Sequence, residues 1–163
     1  MTSISNASEG ERARNTACRF LSYCARSTFQ VEKKLKERGF AEEVVSETID
    51  RLKELGFLDD ASFAESFARD LALVKGFGRF QIEKRLKDKG IEGEALTRAI
   101  ERVFSEIDEF EAARRLALKK TKGHLNSVRD KAKIGRYLYG RGYSWDIITE
   151  ILKGLDDRKR DQE

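Results

Sequence analysis

The sequence predicts an all-α protein of three tandem three-helix repeats, packed as an elongated, curved array. Three observations predict it. The segment KKLKERGF at Lys33–Phe40 returns as KRLKDKGI at Lys84–Ile91, and more loosely as RYLYGRGY at Arg136–Tyr143, so that Gly39, Gly90 and Gly142 are spaced by 51 and 52 positions. The 163 residues contain no proline, so no helix is interrupted by a ring clash or a missing N–H, and the abundance of Glu, Lys, Arg, Leu and Ala favours helix. Apolar residues recur at three and four between glycines that close each stretch. A chain that builds one unit three times works through an extended surface rather than a single cleft.

The elements follow in order. Residues 1–12, MTSISNASEGER, lack the basic and apolar regions of a secretory signal and read as a disordered lead. The first repeat, 13–58, opens with a helix over Ala13–Ala25. Ser27 and Gln30 are spaced as a capping box for the next helix, which carries Val31 and Leu35 on one face. After Gly39 comes apolar Phe40, then a third helix with Val44, Val45, Thr48 and Ile49 inward. In the second repeat, 59–106, Asp60 is placed to cap a helix over Ala61–Lys75, along which Phe63, Phe67 and Leu71 share a face. Ile82 and Leu86, Ile91, then Ala95, Leu96, Ala99 and Ile100 repeat the earlier pattern.

In the third repeat, 107–155, the helix Asp108–Lys122 has Phe110, Ala113 and Ala117 inward. Ile134 and Leu138, Tyr143, then Ile147, Ile148, Ile151 and Leu152 complete it, and residues 156–163 form a charged tail. Each third-helix set begins four residues after Phe40, Ile91 or Tyr143, so the same face is buried in each copy. Units of this size are small to stand alone and should pack on one another. About five extra residues lie between Lys122 and Lys131 in the third copy, a longer loop expected to be mobile.

Composition excludes several classes. With 39% hydrophobic and 38% charged residues the core is thin, and no apolar run approaches the roughly 18 residues of a membrane span. Cys18 and Cys24, spaced for neither a redox motif nor zinc, fit a reduced cytoplasmic protein and read as small buried or half-buried hydrophobes. The apolar faces are taken up by neighbouring repeats, which points to a monomer. The single histidine, His124, has no matched nucleophile. Asp59-Asp60 is explained by a helix start, and there is no phosphate-binding loop or ligand cluster. The expectation is a protein that is not an enzyme and uses no cofactor or metal.

Charge is the informative asymmetry. Residues 111–142 hold ten Lys/Arg against two Asp/Glu, whereas the chain as a whole is only +4. A polyanion, most simply nucleic acid, is therefore a plausible partner. Arg115, Lys119 and Lys122 fall opposite the apolar stripe of their helix, and Arg129, Lys133 and Arg136 do the same on the next. With Lys131, Arg141 and the outward-projecting Tyr139, they are the expected binding surface, aromatics beside cations being suited to base stacking. Tyr143 takes the place of Phe40 and Ile91 and belongs to the core. A secondary set surrounds Lys75-Gly76-Phe77-Gly78-Arg79: Lys75, Arg79, Arg85, Lys87 and Lys89. Its two glycines are spaced to let backbone approach a phosphate, although Gly76 as a helix stop accounts for the pattern equally well.

Certain motifs resemble a known family. Gly56-Phe57-Leu58-Asp59-Asp60, followed by Phe63-Ala64 and Phe67, is similar to the GLLDDxxFAxxF signature of the RecX regulatory family. Lys75-Gly76-Phe77-Gly78, with Ile82, Leu86 and Lys89-Gly90-Ile91, resembles its KGxGxxxIxxxLxxKGI pattern, and Leu138–Tyr143 with Ile147-Ile148 its third-copy pattern. The resemblance spans about Ala13 to Leu155. It implies a curved array that binds the RecA recombinase, chiefly as the RecA filament on single-stranded DNA. It further implies that the chain restrains RecA's ATP hydrolysis, strand exchange and co-protease activity, in DNA repair and the SOS response. Direct DNA binding through a helix-turn-helix-like unit is the alternative.

Overall fold

The computed structural model describes residues 8–121 and 128–160, with side chains through Leu155. Among the described residues the chain forms nine helices and no strand: α1 (Glu9–Leu21), α2 (Thr28–Glu37), α3 (Glu42–Glu54), α4 (Asp60–Leu73), α5 (Arg79–Lys87), α6 (Gly93–Glu106), α7 (Glu109–Thr121), α8 (Val128–Gly140) and α9 (Trp145–Arg160). Each successive group of three closes one hydrophobic cluster. The longer loop expected between Lys122 and Lys131 falls largely on residues 122–127, outside the described residues, as do Lys122 and His124.

At the centre of each cluster the first helix presents an alanine pair at i, i+4: Ala13 and Ala17, Ala64 and Ala68, Ala113 and Ala117, all essentially without exposure. Small side chains here let the other two helices approach closely. Phe63 and Phe67 are half-buried and stack on each other at 5.5 Å, on the flank rather than at the centre, which Ala64, Ala68 and Leu71 occupy.

The helix starts are chemically specified. Ser27 caps α2 in a reciprocal box with Gln30, as its spacing predicts, and Ser8 does the same for α1 with Glu11. The second box moves the start of α1 back to Glu9, so residues 9–12 are helical rather than part of a disordered lead. Cys18 falls on the outer side of α1, and Cys24 lies beyond the helix end at Leu21; both are exposed, not buried. On α4 the cap is Asp59, not Asp60. Its carboxylate accepts from the Ala61 and Ser62 N–H groups at 3.0 and 3.1 Å and from the Ser62 hydroxyl at 2.6 Å. Led by the hydroxyl, these bonds hold Asp59 below the usual carboxylate range. Asp60 instead accepts the Thr28 N–H at 2.7 Å, an otherwise unsatisfied donor in the first turn of α2.

The repeat glycine does more than end a helix. Gly39, Gly90 and Gly142 all have positive φ, and the next N–H (Phe40, Ile91, Tyr143) closes the last turn onto Leu35, Leu86 and Leu138. Gly90 and Gly142 are also pressed against the preceding repeat. A Cβ on Gly90 would lie 2.4 Å from the Phe29 Cβ, and one on Gly142 would lie 2.3 Å from the Gln81 backbone nitrogen. Across the first joint the Ser27 hydroxyl donates to the Lys89 carbonyl at 2.6 Å. Across the second, Gly78 and Phe80 N–H groups donate to the Arg141 and Gly142 carbonyls at 2.8 and 3.1 Å. The C-terminus of α8 thus abuts the N-terminus of α5, and the C-terminus of α5 abuts the N-terminus of α2. The three second helices form a head-to-tail file in which each carbonyl end meets the next amide end, the favourable sense for helix dipoles.

Candidate protein and nucleic-acid interface

The glycine-containing segment before α5 holds a neighbouring repeat rather than a phosphate. Gly78 and Phe80 N–H groups point at repeat 3, and the Arg79 N–H donates to Glu109 at 3.0 Å. The first turn of α5 is already engaged.

Most of the secondary cations are engaged as well. The Arg79 guanidinium lies 4.7 Å over Phe104 and 3.8 Å from the Glu109 carboxylate. Lys87 pairs with Glu83 at 2.7 Å. Lys89 lies 6.0 Å over Phe67. Lys75 is exposed, and its carbonyl accepts from the Arg141 guanidinium.

Arg141 is the clearest departure from the expected surface. It is half-buried, with its guanidinium 5.1 Å from the Phe77 ring centre and 5.2 Å from that of Tyr137. Arg85 sits 4.5 Å over Phe77 and Lys120 5.2 Å over Tyr137. Cations and rings therefore alternate, Arg85–Phe77–Arg141–Tyr137–Lys120, across the second joint. Each contact contributes about 0.5–1 kcal/mol, more where desolvated. Below this ladder Tyr143 is buried, and its hydroxyl donates to the Gly76 carbonyl at 3.3 Å. Burial, with Glu109 adding to it, pushes this phenol up to about 12.

The remaining cations occupy two settings. Arg115 and Lys119, both exposed, line a shallow groove at the second joint with Leu73, Leu116 and Tyr143. Arg115 Nε also donates to the Glu111 carbonyl at 3.3 Å. On α8, Arg129, Lys133 and Arg136 are exposed on the side away from buried Ile134 and Leu138. Among the described residues none of these three has an ion-pair partner. Lys131, nearer the buried side, is half-buried and engaged.

Tyr139 projects outward as its register predicts, and it is joined by a residue outside the expected set. Trp145, at the start of α9, stacks on it with ring centres 5.2 Å apart and planes 25° apart. Helical periodicity does not find this pair, because the two rings belong to different helices and meet only through the turn at Gly142. Among the described residues no group of three or more His, Cys, Asp or Glu is placed to hold a metal, and no helix is long and apolar enough to cross a membrane.

Comparison with known proteins gives a consistent picture. Three family models match: RecX, first three-helix domain, over residues 13–52; second, over 59–100; third, over 106–152. The regulatory protein RecX of Thermotoga maritima is 37% identical over 148 residues, covering 91% of this chain and 87% of that protein. The regulatory protein RecX of Ectopseudomonas mendocina is 36% identical over 129 residues, covering 78% and 84%. The crystal structure of RecX from Lactobacillus salivarius superposes with a TM-score of 0.76 at 29% identity, over 91% of this chain and 97% of that one.

Proposed function

The chain belongs to the RecX family, and on that premise we propose that it binds the RecA recombinase, chiefly as its filament on single-stranded DNA. In this role it restrains ATP hydrolysis, strand exchange and co-protease activity, and so modulates DNA repair and the SOS response. The curated relatives are named regulatory proteins, in keeping with a role carried out by binding rather than catalysis. The observation that carries the reading is the row Arg129, Lys133, Arg136, exposed on one face of α8 and, among the described residues, paired with no acid. A rigid cationic row suits a polyanionic filament, and three repeats in file supply reach. The groove cations Arg115 and Lys119 are a second contact with the same partner.

The test is RecA's DNA-dependent ATPase with added protein. Reversing Arg129, Lys133 and Arg136 to Glu should weaken inhibition at least tenfold, with helicity by circular dichroism unchanged. Reversing Arg115 and Lys119 reads the groove separately. Full inhibition by both variants would remove the cations from the interface. A second reading, binding of bare DNA by repeat 3, is favoured by the cations lying on a single helix face. It requires duplex binding without RecA and a steep salt dependence.

A further inference from the structure

Position 139 departs from the repeat in a way that changes its chemistry. At the matching positions of α2 and α5 the repeat places a Glu–Lys pair at i, i+4: Glu32 with Lys36 at 2.8 Å and Glu83 with Lys87 at 2.7 Å. In α8 the same two positions, 52 residues beyond those of α5, hold Gly135 and Tyr139. The acid is gone, and an aromatic ring replaces the lysine. Tyr139 then finds Trp145, and the stacked pair remains exposed, each residue retaining 58% of its accessible surface. Arg136, one turn back on α8, leads from this pair toward Lys133 and Arg129. From Arg129 to Tyr139 the helix rises about 15 Å, the length of roughly four nucleotide steps at the duplex rise. Asp146 and Glu150, the acids that follow Trp145 on α9, make the α8 side the open approach for an anion.

We propose that Tyr139 and Trp145 form a stacking platform for unpaired bases of single-stranded nucleic acid, with Arg136, Lys133 and Arg129 on the phosphates that lead to it. The inference rests on the reading above and deepens it by assigning the DNA contact of the filament to a named site. Exposed rings beside a row of cations bind unpaired bases irrespective of sequence, because every base has a π-face. A duplex keeps its bases stacked inside and offers these rings nothing comparable.

Trp145 is the only tryptophan, so intrinsic fluorescence reports on this site alone. The full chain is titrated with a 16-mer of thymidine and with an abasic deoxyribose-phosphate 16-mer at one salt concentration. Oligothymidine should quench Trp145 saturably. The abasic strand should bind roughly tenfold more weakly, by competition for labelled oligothymidine, and leave the emission unchanged. Tyr139→Ala should lose the same factor for oligothymidine and none for the abasic strand, whereas Arg136→Glu should weaken both. Both targets are solvent-exposed, and circular dichroism checks that each variant folds. Equal affinity for the two strands, binding without quenching, or no binding of either overturns the platform. So does emission that responds to RecA protein but not to oligothymidine, which would make the pair a protein contact. ATPase inhibition is read in parallel. Inhibition without quenching overturns the platform and leaves the RecA reading standing; quenching without inhibition does the reverse.

Discussion

Gly39 and Gly142 are the same residue of the repeat in two different settings, and substituting each with Ala separates the backbone cost from the cost of the joint. Their φ angles are close, 81° and 89°. An L-residue there costs about 1–2 kcal/mol in either case. Among the described residues a Cβ on Gly39 meets nothing within 4 Å, whereas one on Gly142 meets the Gln81 backbone nitrogen at 2.3 Å. That neighbour is main chain and cannot rotate away, so repeats 2 and 3 must separate. The two backbone hydrogen bonds from Gly78 and Phe80 are then stretched, at about 0.5–1.5 kcal/mol each, and overpacking adds about 1–3 kcal/mol. Gly39→Ala should therefore lose about 1–2 kcal/mol and Gly142→Ala about 3–8 kcal/mol. Urea titration gives the two values. Trp145 fluorescence reports repeat 3 and circular dichroism the whole chain, and in Gly142→Ala the two transitions should diverge as the array loses cooperativity. Equal losses in the two variants, or coincident transitions with an unaltered midpoint, would refute the joint as the reason for this glycine.

Two more outcomes follow from the same joint. Arg141→Met keeps length but removes the cation between Phe77 and Tyr137 and the donor to Lys75; it should cost about 1.5–3.5 kcal/mol in urea denaturation while leaving the salt dependence of oligonucleotide binding unchanged. Tyr143→Phe should alter the alkaline limb of stability: because the folded phenol titrates at about 12, above its unfolded value near 10, its contribution is complete below about pH 10 and lost as pH rises through about 12. Thermal melts across that alkaline window should fall more steeply in the wild type than in the variant, and parallel curves would show that the buried phenol is not the cause.

Much of the fold was legible because the repeat imposes one phase on three stretches of sequence. Val31, Ile82 and Ile134 are buried at matching positions, as are Leu35, Leu86 and Leu138. An i, i+4 apolar pair that returns at fixed spacing marks a buried helix face, because a strand or loop would not preserve that phase. The joints were not legible, since they join residues of different repeats: Ser27 with Lys89, Asp60 with Thr28, Arg141 with Phe77. Local pattern assigns Asp60 a cap and Arg141 a place on the surface, because both roles are available within one helix turn, and tertiary contacts override them. The candidate site is legible on α8 as cations that share one register, whereas the Tyr139–Trp145 contact is not, because Trp145 has no register in common with Tyr139. The exposed Cys18 shows the same limit from the other side. Residue type suggests burial, but the alanine pair of α1 already occupies the buried stripe.

The proposed binding surface and the second joint are parts of one element. The turn that carries Arg141 and Gly142 is fixed to α5 by two backbone hydrogen bonds and by the Arg141 guanidinium between two rings. Tyr139 stands just before that turn and Trp145 just after it. The contact between their rings therefore depends on a turn whose shape is set by repeat 2, not by α8 alone. The cation row of α8 is fixed by the same anchorage, because α8 meets α5 end to end. At the matching Gly39 of repeat 1, a Cβ would meet nothing within 4 Å among the described residues. The array thus holds its third repeat in a defined position while leaving its first helix file open at the far end.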